Sequence, residues 1–84
     1  MMLHTLKTSM PYFEAVKSGD KNFEVRRDDR GFQKGDILEL ICIDAAGMVV
    51  GNMPPICRRV KWILTGGQFG IEAGYVVLAL EPFE

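Results

Sequence analysis

The chain of 84 residues predicts a small α+β domain, mainly β: a barrel-like set of four or five strands with one helix near the start. Three observations lead there. The only clear helix-start signal comes early, at Ser9 and Pro11. From Asn22 onward the apolar residues follow a period of two. Short turns rich in Gly, Pro and Asp join most of the remaining segments. The length admits one domain, residues 1–84, and a chain this short buries only ~60–65% of the surface its unfolded form exposes.

Leu3–Thr8 reads as the opening strand. Ser9 then offers a hydroxyl cap, and Pro11 falls in the first helical turn, where its missing N–H does no harm. Phe13 and Val16, with Tyr12 and Ala15, form the apolar stripe of a helix that runs to Lys17 or Ser18. Gly19 stands where a left-handed residue ends it. From Asn22 a strand places Phe23 and Val25 on one face, with Glu24 and Arg26 on the other. Phe13 and Phe23 are expected in the core. Asp28–Gly31 is a polar turn, Phe32 an anchor, and Lys34-Gly35-Asp36 a second turn. The strand Ile37–Ile43 is apolar on both faces except at Glu39, which suits a covered sheet. Residues 44–55 form a loop or irregular hairpin. In the strand Ile56–Leu64, strict alternation puts Ile56, Arg58, Val60 and Trp62 on one face, and Cys57, Arg59, Lys61 and Ile63 on the other. Thr65–Gly74 is a glycine-rich connection, and Tyr75–Leu80 is the closing strand.

Composition excludes more than it identifies. Ten basic and 11 acidic residues leave a net charge of −1, so overall charge argues for neither nucleic acid nor membrane. The cations are nevertheless grouped: Lys17, Lys21, Arg26, Arg27, Arg30 and Lys34 fall close together, and Arg58, Arg59 and Lys61 form a second cluster. No apolar run approaches the ~18–20 residues of a membrane span, and the first residues lack the apolar centre of a signal peptide. Cys42 and Cys57 stand apart in apolar stretches, which predicts buried, reduced thiols and a cytoplasmic protein. One His and two isolated Cys do not make the four-ligand set of a closed zinc site, so neither metal nor cofactor is expected.

The run Gly19-Asp20-Lys21-Asn22-Phe23-Glu24-Val25-Arg26 brings a Lys, a Glu and an Arg to the point where helix gives way to strand. Gly19-x-Lys21-x-x-Glu24-x-Arg26 matches the G-x-K-x-x-E-x-R signature of the ASCH (activating signal cointegrator homology) superfamily. The flanks agree: Arg30-x-Phe32-x-x-Gly35-Asp36-x-Leu38 follows, then a Trp-containing strand, then Gly74-Tyr75-Val76-Val77-Leu78. The chain as a whole resembles a compact bacterial and phage subgroup of that superfamily. The resemblance implies a PUA-like pseudo-barrel of about five mostly antiparallel strands with one N-terminal helix. It also implies a cleft beside the signature that binds RNA or a nucleotide. Some ASCH relatives are enzymes, including an acetylcytidine amidohydrolase branch that uses a Lys, a Thr nucleophile and a Glu. Here Glu24 occupies the position of that Thr, and a carboxylate cannot replace an activated hydroxyl in that mechanism.

The candidate ligand-binding residues are Lys21, Glu24, Arg26, Arg27, Arg30 and Tyr75. Glu24 and Arg26 lie two apart on one strand, with alpha carbons ~6.6–6.8 Å apart. They form either a solvated surface pair or the floor of a cleft in which Lys21 and Arg26 attract phosphate and Glu24 accepts a base amino group. Lys21 is either a solvated turn residue or, with Glu24, a catalytic candidate acting as base on RNA or a modified nucleoside. Arg27, Arg30, Arg58, Arg59 and Lys61 are candidates for a phosphate-attracting groove. Tyr12, Phe32, Trp62 and Tyr75 are candidates for base stacking, Tyr75 above the others. Gly66-Gly67-Gln68-Phe69-Gly70 lacks a Walker lysine and opens no helix, so it reads as a plain connection. His4 stands alone, so no Ser-His-Asp set is expected. A protein-interaction module of phage or mobile-element origin, using the apolar loop Met48–Pro55, is the remaining alternative.

Overall fold

Five strands and one helix follow one another in the structure, a computed structural model that describes residues 1–83. They are β1 (Leu3–Ser9), α1 (Met10–Ser18), β2 (Phe23–Arg27), β3 (Ile37–Ile43), β4 (Ile56–Thr65) and β5 (Tyr75–Pro82). The sheet order is β1-β3-β4-β5-β2, with β1 parallel to β3 and the other pairs antiparallel. The sheet curls into a half-barrel, an α+β fold that is mainly β.

The helix begins at the end of β1, with Pro11 in its first turn. Ser9 occupies the cap position, but its side chain makes no capping hydrogen bond, contrary to the expected hydroxyl cap. β1 continues through Ser9, and that residue keeps extended backbone up to the helix. Gly19 ends the helix in the left-handed region at φ 88°, and its N–H donates to Val16 O. Phe13 and Val16 are the buried helix positions and join Leu6, Leu38, Leu40, Val60, Leu78 and Leu80 in one core.

The inner face of β1 is His4, Leu6 and Thr8, so two of its three buried residues are polar. A buried polar group must find a partner, and both do. His4 Nε2 lies 2.8 Å from Asp36 Oδ2, and its ring packs against Phe32 at a centroid distance of 4.7 Å. Asp36 also accepts from the Met2 and Gln33 backbone N–H groups. Thr8 accepts from Arg26.

Two strands depart from the expectation that their apolar residues lie inside. In β2 the two faces are as expected, but Glu24 is the buried residue while Phe23 is 41% exposed and Val25 51% exposed. Phe23 is therefore not a core residue. β2 is an outermost strand, and Lys21 just before it and Arg26 within it give the inward carboxylate its partners. In β4 a bulge lies between Val60 and Trp62: Val60 pairs with Leu80, whereas Trp62 pairs with Ala79. One extra residue reverses the inside–outside order beyond it. Ile56 and Val60 remain inside, Ile63 replaces Trp62 against the core, and Trp62 is 57% exposed.

Cys42 is buried, but Cys57 is only half-buried, and both are free thiols. Residues 44–55 make an irregular hairpin: Ile43 bridges Val49, and Asp44 Oδ1 accepts from the Ala46 and Met48 N–H groups. Met48 and Val49 are exposed at its tip, while Val50 and Met53 pack against the core.

Candidate functional site

The half-barrel leaves its two outer strands, β1 and β2, facing each other without a backbone ladder between them. Side chains close the gap. Arg26 Nη2 on β2 donates to Lys7 O (3.0 Å) and Thr8 Oγ1 (3.1 Å) on β1, and Arg30 Nη1 donates to Thr5 O (3.1 Å). An open strand edge carries unpaired carbonyls, and here two arginines satisfy them.

At one end of this seam lies a cleft of about 560 Å³ lined by Lys7, Thr8, Ser9, Tyr12, Lys21, Phe23, Glu24, Val25 and Arg26. That volume falls in the ~300–1,000 Å³ range of small-molecule sites. Glu24 forms the buried floor, its side chain only 4% exposed. Its Oε1 accepts from Arg26 Nε (3.2 Å) and Nη2 (2.9 Å), and its Oε2 accepts from Lys21 Nζ. Lys21 Nζ also donates to Phe23 O at 2.7 Å. The Lys21 ammonium lies 5.0 Å from the Phe23 ring centre and 5.7 Å from that of Tyr12, within cation–π reach of both. Lys21 is thus a mostly covered group with four protein contacts, not a solvated turn lysine, and the Glu24–Arg26 pair is not a surface ion pair.

The local sequence explains the convergence. Gly19 turns the chain back at the end of α1, Lys21 N–H is held by Ala15 O, and two residues later β2 begins. Lys21 therefore reaches over the start of β2 to Glu24, and strand alternation sets Arg26 beside Glu24 on the same face. The cleft carries a charged floor with Tyr12, Phe23 and Val25 around it, all at least 41% exposed.

The family model described as a domain of unknown function (DUF3850) matches residues 3–80, which take in every strand core, the helix and the whole cleft. The chain belongs to the DUF3850 family. No curated protein matches it.

Other candidate residues of this DUF3850 domain are distributed around the cleft, not inside it. Arg27 and Arg30 line a smaller hollow of about 160 Å³ that shares Arg26 with the main cleft. Tyr75 lies against Arg27, whose guanidinium carbon is 5.3 Å from the ring centre, and both flank the far side of β2. The expected second basic cluster is divided. Arg58 turns inward and donates to Val16 O at the end of α1, Arg59 pairs with Glu81 and covers the Phe83 ring, and Lys61 is exposed. Strand alternation sets Arg58 on the opposite face from Arg59, ahead of the bulge, so these three form no single wall. Phe32 is buried against His4 and offers no stacking surface. Lys7, Thr8 and Ser9 also belong to the cleft, and no sequence motif marks them, because only tertiary contact brings β1 to the signature. No helix among the described residues is long and apolar enough to cross a membrane.

Proposed function

We propose that this chain is an ASCH-like domain of the PUA-like class that binds RNA or a nucleotide in the cytoplasm, using the cleft at the β1–β2 seam. The observation that carries the reading is a buried carboxylate clamped between two cations beneath exposed aromatic rings. Two cations against one carboxylate leave the trio with a positive charge. Both Glu24 oxygens already accept from protein donors, whereas Arg26 Nη1 has no partner among the described residues. Glu24 has one acceptor site left, on Oε2, against one N–H of Lys21 Nζ and the two of Arg26 Nη1, so most of the trio's spare capacity is donor capacity, suited to a phosphate or a base carbonyl oxygen. In this reading Glu24 orients Lys21 and Arg26 and does not itself read an exocyclic amino group. Tyr12 and Phe23 supply flat apolar surface for a base.

The test is calorimetric titration of ribonucleoside monophosphates and short RNA into the protein. Tyr12 is 59% exposed, so Tyr12→Ala removes a wall without opening the core. It should weaken binding about fivefold or more. Reversing the charge of Lys21 or Arg26 alone would leave a buried carboxylate short of partners. The combined variant Lys21→Met, Glu24→Leu, Arg26→Met removes every charge of the trio and retains volume, an exchange that buried ion clusters often tolerate. It should fold and fail to bind. Undiminished binding in both variants would sink the assignment.

A further inference from the structure

The outer face of the sheet carries an unused feature: the exposure of Trp62. The chain has a single Trp, and the alternation of β4 would place it inside. The bulge between Val60 and Trp62 turns it out, so that Lys61 and Trp62 are adjacent and both exposed. Bulges re-aim side chains next to functional sites, and a large aromatic given up by so small a core needs a reason.

The register says where Trp62 stands. It pairs with Ala79, and Ala79 pairs on its other side with Phe23, so Phe23, Ala79 and Trp62 form one cross-strand row. The next row is Val25, Val77 and Leu64. Phe23 also borders the cleft, with its ring 5.0 Å from Lys21 Nζ. The row therefore continues from the cleft around the β2 edge to Trp62. Two strand spacings, ~9.5–10 Å, separate Phe23 from Trp62, with only the Ala79 methyl group between them.

We propose that this row is the continuation of the ligand track, and that the ligand is single-stranded nucleic acid rather than a mononucleotide. One nucleotide occupies the cleft and a following base stacks on Trp62. The inference rests on the cleft reading. Charge favours a polyanion here: Lys61 beside Trp62 and Arg27 at the end of β2 form no ion pair among the described residues. Sequence-tolerant binding of single strands combines such stacking platforms with flanking cations.

Because Trp62 is the sole Trp, its fluorescence reports the contact directly. The probes are the four ribonucleoside 5′-monophosphates and random-sequence RNA and DNA octamers. The octamer of the accepted sugar type should quench Trp62, whereas monophosphates bind without quenching. Trp62→Ala should weaken octamer binding about 5- to 150-fold, leave monophosphate binding unchanged, and be rescued in large part by Trp62→Phe. Monophosphate binding sensitive to Tyr12→Ala, with octamer binding insensitive to Trp62→Ala and no quenching, would overturn the track and leave the cleft intact. Absence of binding by monophosphates and octamers alike would overturn both. Dimerisation abolished by Trp62→Ala, without quenching by octamers, would overturn the track and give this face to a second copy of the chain.

Discussion

Two buried carboxylates, Glu24 and Asp36, organise the polar interior, and they do different work. Glu24 holds two cations at an open cleft, whereas Asp36 gathers His4 and two backbone N–H groups inside the fold. Burial pushes the Asp36 carboxyl up, but the hydrogen bonds from His4, Met2 and Gln33 outweigh it and leave its pKa below the ordinary 3.8. A carboxylate whose native pKa is lowered stabilises the fold above its unfolded value and ceases to do so as the pH falls through the native one. Asp36→Asn should therefore cost about 2 kcal/mol at pH 7, the scale of a hydrogen-bonded buried charge. The difference from wild type should shrink as the pH drops below about 4. Urea unfolding of both proteins between pH 2 and 7 checks this, and a constant difference across that range would contradict it. The motif residues of the trio are legible in the sequence, but the Asp36–His4 contact is not, since 32 positions separate them.

At the scale of elements, the helix, its Pro and its terminating Gly19 follow from local rules, and so do the five strands. What alternation misses is the single-residue irregularity of β4 and the inward turn of the polar face of β2. The hairpin of residues 65–74 adds a third irregularity. Ile71 N–H donates to Gln68 O at 2.9 Å, and the two central residues, Phe69 and Gly70, have φ of 54° and 76°. Positive φ at both positions is the type I′ arrangement, which favours Asn-Gly and penalises a residue such as Phe. Phe69 is 82% exposed and contributes no core packing to offset that strain. Phe69→Asn should accordingly stabilise the domain by about 0.5–1 kcal/mol, read as a higher denaturant midpoint with an unchanged slope. A lower midpoint would mean that the ring makes contacts this geometry does not account for. At the base of the same hairpin, a side chain on Gly66 would meet Glu72 O at 2.2 Å and Tyr75 O at 2.5 Å, so only glycine fits there.

For the whole molecule, the governing fact is that the half-barrel remains open between β1 and β2 and that arginines span the opening. The same opening produces the cleft, so the fold's least complete edge coincides with its candidate site. Net charge is −1, yet Lys21, Arg26 and Lys61 lie along the proposed track, and it is their local field that a ligand meets. Three phosphate contacts on a single strand give a slope of about −2 in log K against log salt. Octamer affinity should then fall about 20-fold between 50 and 200 mM salt. A salt-independent affinity would exclude phosphate recognition by these cations.

The sequence by itself determined the class of fold, the number and order of its elements, the ends of its helix and the identity of the charged trio. Those depend on local conformation and on residue periodicity, which act within a few positions of each residue. Only the tertiary structure decided that Glu24 lies inward and Phe23 outward, that Trp62 leaves the core, and that Thr8 and Lys7 complete the cleft with Arg26. Alternation assigns residues to two faces without saying which face is covered. The curl of the sheet and one extra residue in β4 make that choice, and both are properties of strands distant in sequence coming together.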